Sequence, residues 1–268
     1  MKMQFKAALA LAVVVVFASC QKDSSLPSDV STFEAERNPM SEVIVIKKSG
    51  DINSALDEFR ALLGPLNTAP SAPGTPGLET GRREVNWDGV QAPNLNNNNF
   101  PGDFFGSSNP LDGNARKRGI ICSTPGSGLR VSDNDLADID PSYPGQFQAF
   151  SPAKIFVSEG SPITDARFKV PGTVIDAAVN AFGVVFSDVD HGGSTSILFY
   201  KGSELLGEFK APRKGKDGFS FLGIYFPHEF VTRVRIVSGT HSIGKDVVEM
   251  GKDLVVMDDF IYSEPRSF

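Results

Sequence analysis

Phe219-Ser220-Phe221-Leu222-Gly223-Ile224-Tyr225-Phe226 is the stretch on which the fold turns. Phe219, Phe221, Gly223 and Tyr225 alternate along one side of an extended chain, and Leu222, Ile224 and Phe226 lie along the other. Strand side chains point to opposite faces with a period of two, so apolar sets on both sides predict a strand buried on both faces. Such a strand belongs inside a sheet that is covered above and below.

Neighbouring runs repeat the period. Phe182, Val184 and Phe186 share one strand face, and Ile197 and Phe199 share another. Val234 and Ile236 alternate with Arg233 and Arg235, the pattern of a strand with one wet face. A last strand reads from Leu254 to Tyr262, and Gly192-Gly193, Lys201-Gly202, Lys216-Asp217-Gly218 and Pro227-His228 supply turns between runs. No helix-length amphipathic segment follows residue 82. Short strands at this spacing predict an all-β fold, a β-sandwich of jelly-roll type, over residues 82–268.

Ahead of it, residues 42–64 read as a small strand-helix segment. Val43 to Ile46 suits a short strand, and Asp51 to Leu63 suits a helix with Ile52, Leu56, Phe59 and Leu63 on one face. Asp51 is the expected N-cap, and Gly64-Pro65 supplies the stop. Over residues 65–81, Pro65, Pro70, Pro73 and Pro76 alternate with Gly74, Gly77 and Gly81, a composition that reads as a linker.

The first twenty residues address the chain. Lys2 and Lys6 precede an apolar run from Ala7 to Ala18. That run has the length of a signal-peptide core, whereas a spanning helix needs about 20 apolar residues. It ends in Phe17-Ala18-Ser19-Cys20, which resembles the lipobox of bacterial lipoproteins, with Phe17 in place of the usual Leu. The resemblance implies a signal peptide over residues 1–19, acylation of Cys20 and a flexible tether over residues 20–41. Gln21-Lys22-Asp23-Ser24-Ser25 is similar to the surface-export signal of Bacteroidota lipoproteins. The expected location is therefore the cell envelope, on the outer membrane and exposed at the surface. Acyl chains hold a protein to a bilayer at about 0.8 kcal/mol per buried methylene.

The net charge of −6 becomes −8 once Lys2 and Lys6 leave with the signal, because no acid leaves with them. An acidic chain lacks the basic footprint that nucleic acid requires, so no nucleic-acid partner is expected. With Cys20 acylated, Cys122 is the remaining thiol, which excludes an intramolecular disulfide and a cysteine zinc site. Cys122 follows Gly119-Ile120-Ile121 and reads as a small core residue.

Asp188-Val189-Asp190-His191-Gly192-Gly193 follows a strong strand. Its D-x-D-x-G spacing suits either a calcium loop or a turn built from Asp and Gly. Asp258 and Asp259 lie on the last strand, where alternation sends one of them inward or toward a sheet edge. Asp133, Asp135, Asp138 and Asp140 form a further acidic run, read as a solvated loop.

Asp258-Asp259-Phe260-Ile261-Tyr262 resembles the closing strand of carbohydrate-binding jelly rolls with the galactose-binding-like fold. The likeness covers roughly residues 150–262. It implies a structural calcium held by an acid at this place, Asp258 or Asp259, and together with the loop acids the candidate calcium ligands are Asp188, Asp190, Asp258 and Asp259. Glycan binding usually needs exposed Trp or Tyr rings, and this chain has 1 Trp and 4 Tyr against 21 Phe. Trp87 and Tyr143 are the candidate ligand-binding rings, with core packing as their alternative. No nucleophile elbow, H-E-x-x-H helix, P-loop or dinucleotide fingerprint is present, so no catalytic residue is assigned. The expected function is non-catalytic binding of a glycan or surface polymer. The alternatives are a protein-interaction or assembly role and a hydrolase acting through Asp188 and Asp190.

Overall fold

The computed structural model describes residues 43–268, apart from positions 73, 216, 217 and 249. The signal, Cys20 and the tether fall outside the described residues. The first half of the chain forms β1 (Ile44–Ser49), α1 (Asn53–Leu63), β2 (Arg82–Val85), β3 (Ile120–Ser123), β4 (Gly128–Ser132), β5 (Ile155–Glu159) and β6 (Ile163–Lys169). The second half forms β7 (Asp176–Ala177), β8 (Ala181–Ser187), β9 (Ser196–Lys201), β10 (Glu204–Lys210), β11 (Phe219–Tyr225), β12 (Arg233–Val237) and β13 (Val256–Ser263). Two antiparallel sheets result. One runs β1-β11-β8-β13-β5-β4, with β2 also on β13; the other runs β10-β9-β12-β6-β3, with β7 on β6. The protein is an all-β sandwich. No helix among the described residues is long and apolar enough to cross a membrane.

The main core lies between the sheets. Phe182, Val184, Phe186, Leu222, Ile224, Phe260 and Tyr262 meet Ile197, Phe199, Val234 and Ile236 there. The larger sheet is covered on its outer face too, as the two-sided pattern of β11 requires. One cover is α1 with its cap residue: Ile52, Leu56, Phe59 and Leu63 pack with Ile46, Ala181, Val185, Phe221 and Ile261. A second cover brings Leu136, Tyr143, Phe147, Ile243 and Leu254 onto Ile155, Val157 and Val256.

Residues 42–64 are therefore built into the sandwich. Lys47 pairs with Leu222 and Ile44 with Tyr225, which makes β1 the outermost strand beside β11. The helix starts two residues later than expected, with Ile52 at the cap position. Asp51 still takes the Asn53 N–H at 3.1 Å, so its carboxylate does the capping chemistry one place early. The ring of Phe59 lies on a pair of glycines in register, Gly183 of β8 and Gly223 of β11. A Cβ on either glycine would stand 2.9 Å from a Phe59 ring carbon. Glycine at both positions lets the helix approach the sheet closely.

The Pro/Gly-rich residues 65–81, expected as a linker, are strapped along the sandwich. Asn67 N–H donates to Arg82 O at 2.9 Å, Ser71 N–H to Pro171 O at 3.0 Å, and Ser267 N–H to Pro76 O at 2.9 Å. Buried Arg83 explains the strap. Its guanidinium donates twice to Glu264 at 2.6 Å and once to Ala69 O at 2.7 Å. Arg83→Met would leave Glu264 buried and unneutralised, a loss of about 3–5 kcal/mol. Urea unfolding should show that loss, and converting Glu264 to Leu as well should recover much of it.

Candidate functional site

The strongest concentration of unusual chemistry lies where β13 bulges. Met257 opposes Phe186 of β8, yet the next pair is Phe260 with Val184, so Asp258 and Asp259 together face Val185. Simple alternation predicts one inward acid, but the extra residue buries both, at 1 % and 4 % exposure. Asp258 Oδ2 accepts the N–H groups of Phe150 at 2.5 Å and Ser151 at 3.1 Å, and Oδ1 accepts the Ser151 hydroxyl at 3.0 Å. Asp259 faces the Arg60 guanidinium of α1 at 3.8 Å, and that guanidinium also holds Glu84 of β2 at 2.9 Å. Asp259 Oδ1 is buried and takes no hydrogen bond from the described groups.

Two adjacent buried carboxyls cannot both ionise cheaply. Burial first, then the charge of Asp259, pushes Asp258 up to about 8. Burial likewise raises Asp259. Both shifts disfavour a second negative charge on the pair, and a proton shared by the two side chains would give Asp259 Oδ1 a donor.

Trp87, a candidate ligand ring, turns out to be part of the packing beneath this bulge. It is 1 % exposed, and its ring lies 3.9 Å from that of Phe156 at an interplanar angle of 5°. Its Nε1–H donates to Asp258 O at 2.8 Å. The backbone turns the ring inward through a tight three-residue turn, with Trp87 at φ +64° and Asp88 N–H donating to Asn86 O at 2.8 Å. Tyr143 is also buried, in the second cover, where its hydroxyl donates to carbonyls of Gly244 and Val247. Neither ring can stack on a sugar.

Asp188 and Asp190 lie in the loop after β8. Asp188 is buried at φ +71°, and its N–H donates to Gly218 O at 3.1 Å. The loop is closed by Asp253, a residue that belongs to no recognisable motif. Its carboxylate accepts the N–H of Asp190 at 2.9 Å, the N–H of His191 at 3.4 Å and the Ser194 hydroxyl. The donor geometry does not fit a calcium shared by Asp188, Asp190, Asp258 and Asp259, because Asp258 is saturated by N–H and O–H donors and Asp259 faces a guanidinium. Among the described residues, no three His, Cys, Asp or Glu side chains converge as a metal site. In the acidic run, Asp138 pairs with Arg130 at 2.6 Å, and Asp140 accepts from Ser142 and Asp246. Cys122 is buried, which pushes its thiol up to about 12 and makes it inert at neutral pH.

The smaller sheet has a different character. Register places Tyr200, Arg233, Arg167 and Ile121 in one outward row across β9, β12, β6 and β3. Leu198, Arg235, Asp165 and Ser123 form the next row. The Arg233 guanidinium lies 3.7 Å above the Tyr200 ring. Asp165 is clamped by Arg233 at 3.1 Å and by Arg235 at 2.9 Å and 2.8 Å. Burial acts to raise the Asp165 carboxyl, but the two guanidinium groups outweigh it and hold it below the usual range. Arg167 and Ser123 are exposed, while Ile121, Leu198, Tyr200, Arg233 and Arg235 are half-buried. The wet face of β12 is visible from Arg233 and Arg235. The same signal lay unread in β6, where Asp165 and Arg167 alternate with Thr164, Ala166 and Phe168.

Fold and sites together define an all-β sandwich with one sheet covered on both sides and one open, arginine-bearing face. A scan against protein-family models returned no match for the chain, and a search of curated proteins returned none either.

Proposed function

We propose that this chain is a lipid-anchored protein of the cell envelope, held through Cys20 on the outer membrane and exposed at the surface. Its sandwich binds a surface polymer, with glycan as the first candidate, and performs no catalytic step. The observation that carries the binding reading is the open face of β10-β9-β12-β6-β3. A wet antiparallel face is ordinary and carries no signal when its residues are scattered polar groups. This one instead displays arginine and tyrosine in ordered rows, the residue types that dominate binding hot spots.

A protein partner is the second reading. The burial of Trp87 and Tyr143 favours it, because it removes the aromatic platform expected for sugars. Hydrolysis through Asp188 and Asp190 has less support, since Asp188 is fully buried and so closed to a substrate.

Two readouts on the full-length protein test the proposal. An alkyne-bearing fatty acid fed to the cells should label wild type and not Cys20→Ser, and the variant should leave the membrane fraction. Detergent-solubilised wild type should be retained by at least one polysaccharide on a glycan array. Fatty-acid label that persists in Cys20→Ser would refute the anchor. An array with no retained glycan would hand the face to a protein partner.

A further inference from the structure

Arg167 and Arg233 stand directly opposite each other on β6 and β12. Like charges directly opposite each other are destabilising, so an anion that reaches both would be favoured there. Asp165 serves Arg233 and Arg235, whereas Arg167 makes no ion pair among the described residues. Both arginines line a cleft of about 280 Å³, together with Gly202, Thr232, Asp176 and Phe268. That volume sits near the lower end for ligand pockets and suits one sugar residue more than an extended ligand.

We infer that this cleft binds the carboxylate of a single acidic sugar, a uronic acid, within an otherwise neutral glycan. The inference rests on the binding reading given above and names its ligand class. Arginine forks match a planar carboxylate with paired hydrogen bonds, which a neutral hydroxyl cannot replace. Phe268, 74 % exposed at the cleft, offers the apolar ring that a pyranose face packs against. The Tyr200 ring does not serve this purpose, because Arg233 already covers it.

Two features select one charge over many. The chain's acidic balance, −6 overall and −8 once Lys2 and Lys6 leave, disfavours close approach of a dense polyanion, whose many charges meet the protein's acids within the screening length of about 8 Å. Asp176 at the rim, paired with Lys169 at 2.6 Å, disfavours a second anionic group beside the first.

The test is titration calorimetry of detergent-solubilised full-length protein with a trisaccharide of one glucuronate and two neutral sugars, and with its methyl ester. The acid should bind at least about tenfold more tightly than the ester, and Arg167→Gln should remove most of that difference. Arg167 is exposed, so this variant keeps its fold, and an unchanged melting temperature verifies that. Asp176→Asn should bind the acid as well as or better than wild type. Equal affinity for acid and ester, or full affinity in Arg167→Gln, overturns the carboxylate site. If array glycans bind while the monouronate trisaccharide does not, the inference falls and the glycan reading stands. If no glycan binds at all, both fall.

Discussion

A chain that begins at Arg82 is expected not to fold, although sequence alone places the start of the β-domain there. The cut removes β1 and α1 and bares Ala181, Val185, Phe221 and Ile261, which pack against Ile46, Ile52, Leu56, Phe59 and Leu63. It also turns β11, apolar on both sides, into an exposed edge strand, a template for aggregation. The strap that holds Arg83 through Ala69 O goes with it. Phe59→Ala isolates one part of this loss. Removing a fully buried phenylalanine costs about 3–5 kcal/mol, a large share of the roughly 5–15 kcal/mol that keeps a domain folded. Because Gly183 and Gly223 offer no side chain to fill the space, the cost should fall in the upper part of that range. Circular dichroism melts should show a lowered midpoint for Phe59→Ala and no cooperative transition for the truncated chain. A sharp transition in a protein starting at Arg82 would mean that the first cover is dispensable.

The second large effect concerns pH. Asp258 binds its proton more tightly folded than unfolded, with a folded value of about 8 against an ordinary value of 3.8. Its stabilisation is therefore fully present below the unfolded value and is lost progressively as pH rises through the folded one. Wild-type stability should fall between about pH 4 and pH 8, by on the order of a few kcal/mol from this pair. The groups facing the pair are Arg60 from α1, Glu84 from β2 and Ser151 from the segment before β5. Arg60 favours a single negative charge in the pair, and Glu84 opposes a second. Asp258→Asn keeps an oxygen for Phe150 and Ser151 N–H and supplies a permanent donor toward Asp259. The variant should be nearly level with pH across that window and more stable than wild type at pH 9. Parallel stability–pH curves for the two proteins would rule out the shared proton.

How much of this was legible in the sequence depends on the range of the interaction involved. Period-two patterning is local, so β8, β9, β11 and β12 and the two-sided burial of β11 could be read directly. The apolar face of α1 was equally plain, because Ile52, Leu56, Phe59 and Leu63 recur at helical spacing. Pairing is not local. Nothing near Ile44 says that it meets Tyr225, so a strand and helix that complete the larger sheet resembled a separate segment. The Pro/Gly stretch misled for a related reason: its carbonyls, not its side chains, serve buried Arg83. In the sites, alternation failed at Asp258 and Asp259 because a bulge inserts a residue. Trp87 looked wet beside Asn86 and Asp88, yet those neighbours build the turn that drives its ring inward. Asp253 carries no motif, and its role exists only once the loop after β8 folds over it.

Site-directed blocking asks whether the outer face of β10-β9-β12-β6-β3 is the binding surface. Leu198→Cys places a thiol on that face, and Glu58→Cys places one on the exposed side of α1; Cys122 is buried and stays silent toward maleimides. After coupling to a bulky maleimide–polymer, each full-length protein is mixed with envelope polysaccharide and sedimented. The adduct at position 198 should remain in the supernatant while the adduct at position 58 pellets like wild type. Co-sedimentation of both adducts, or loss of binding only with the adduct on α1, would contradict a binding role for that face.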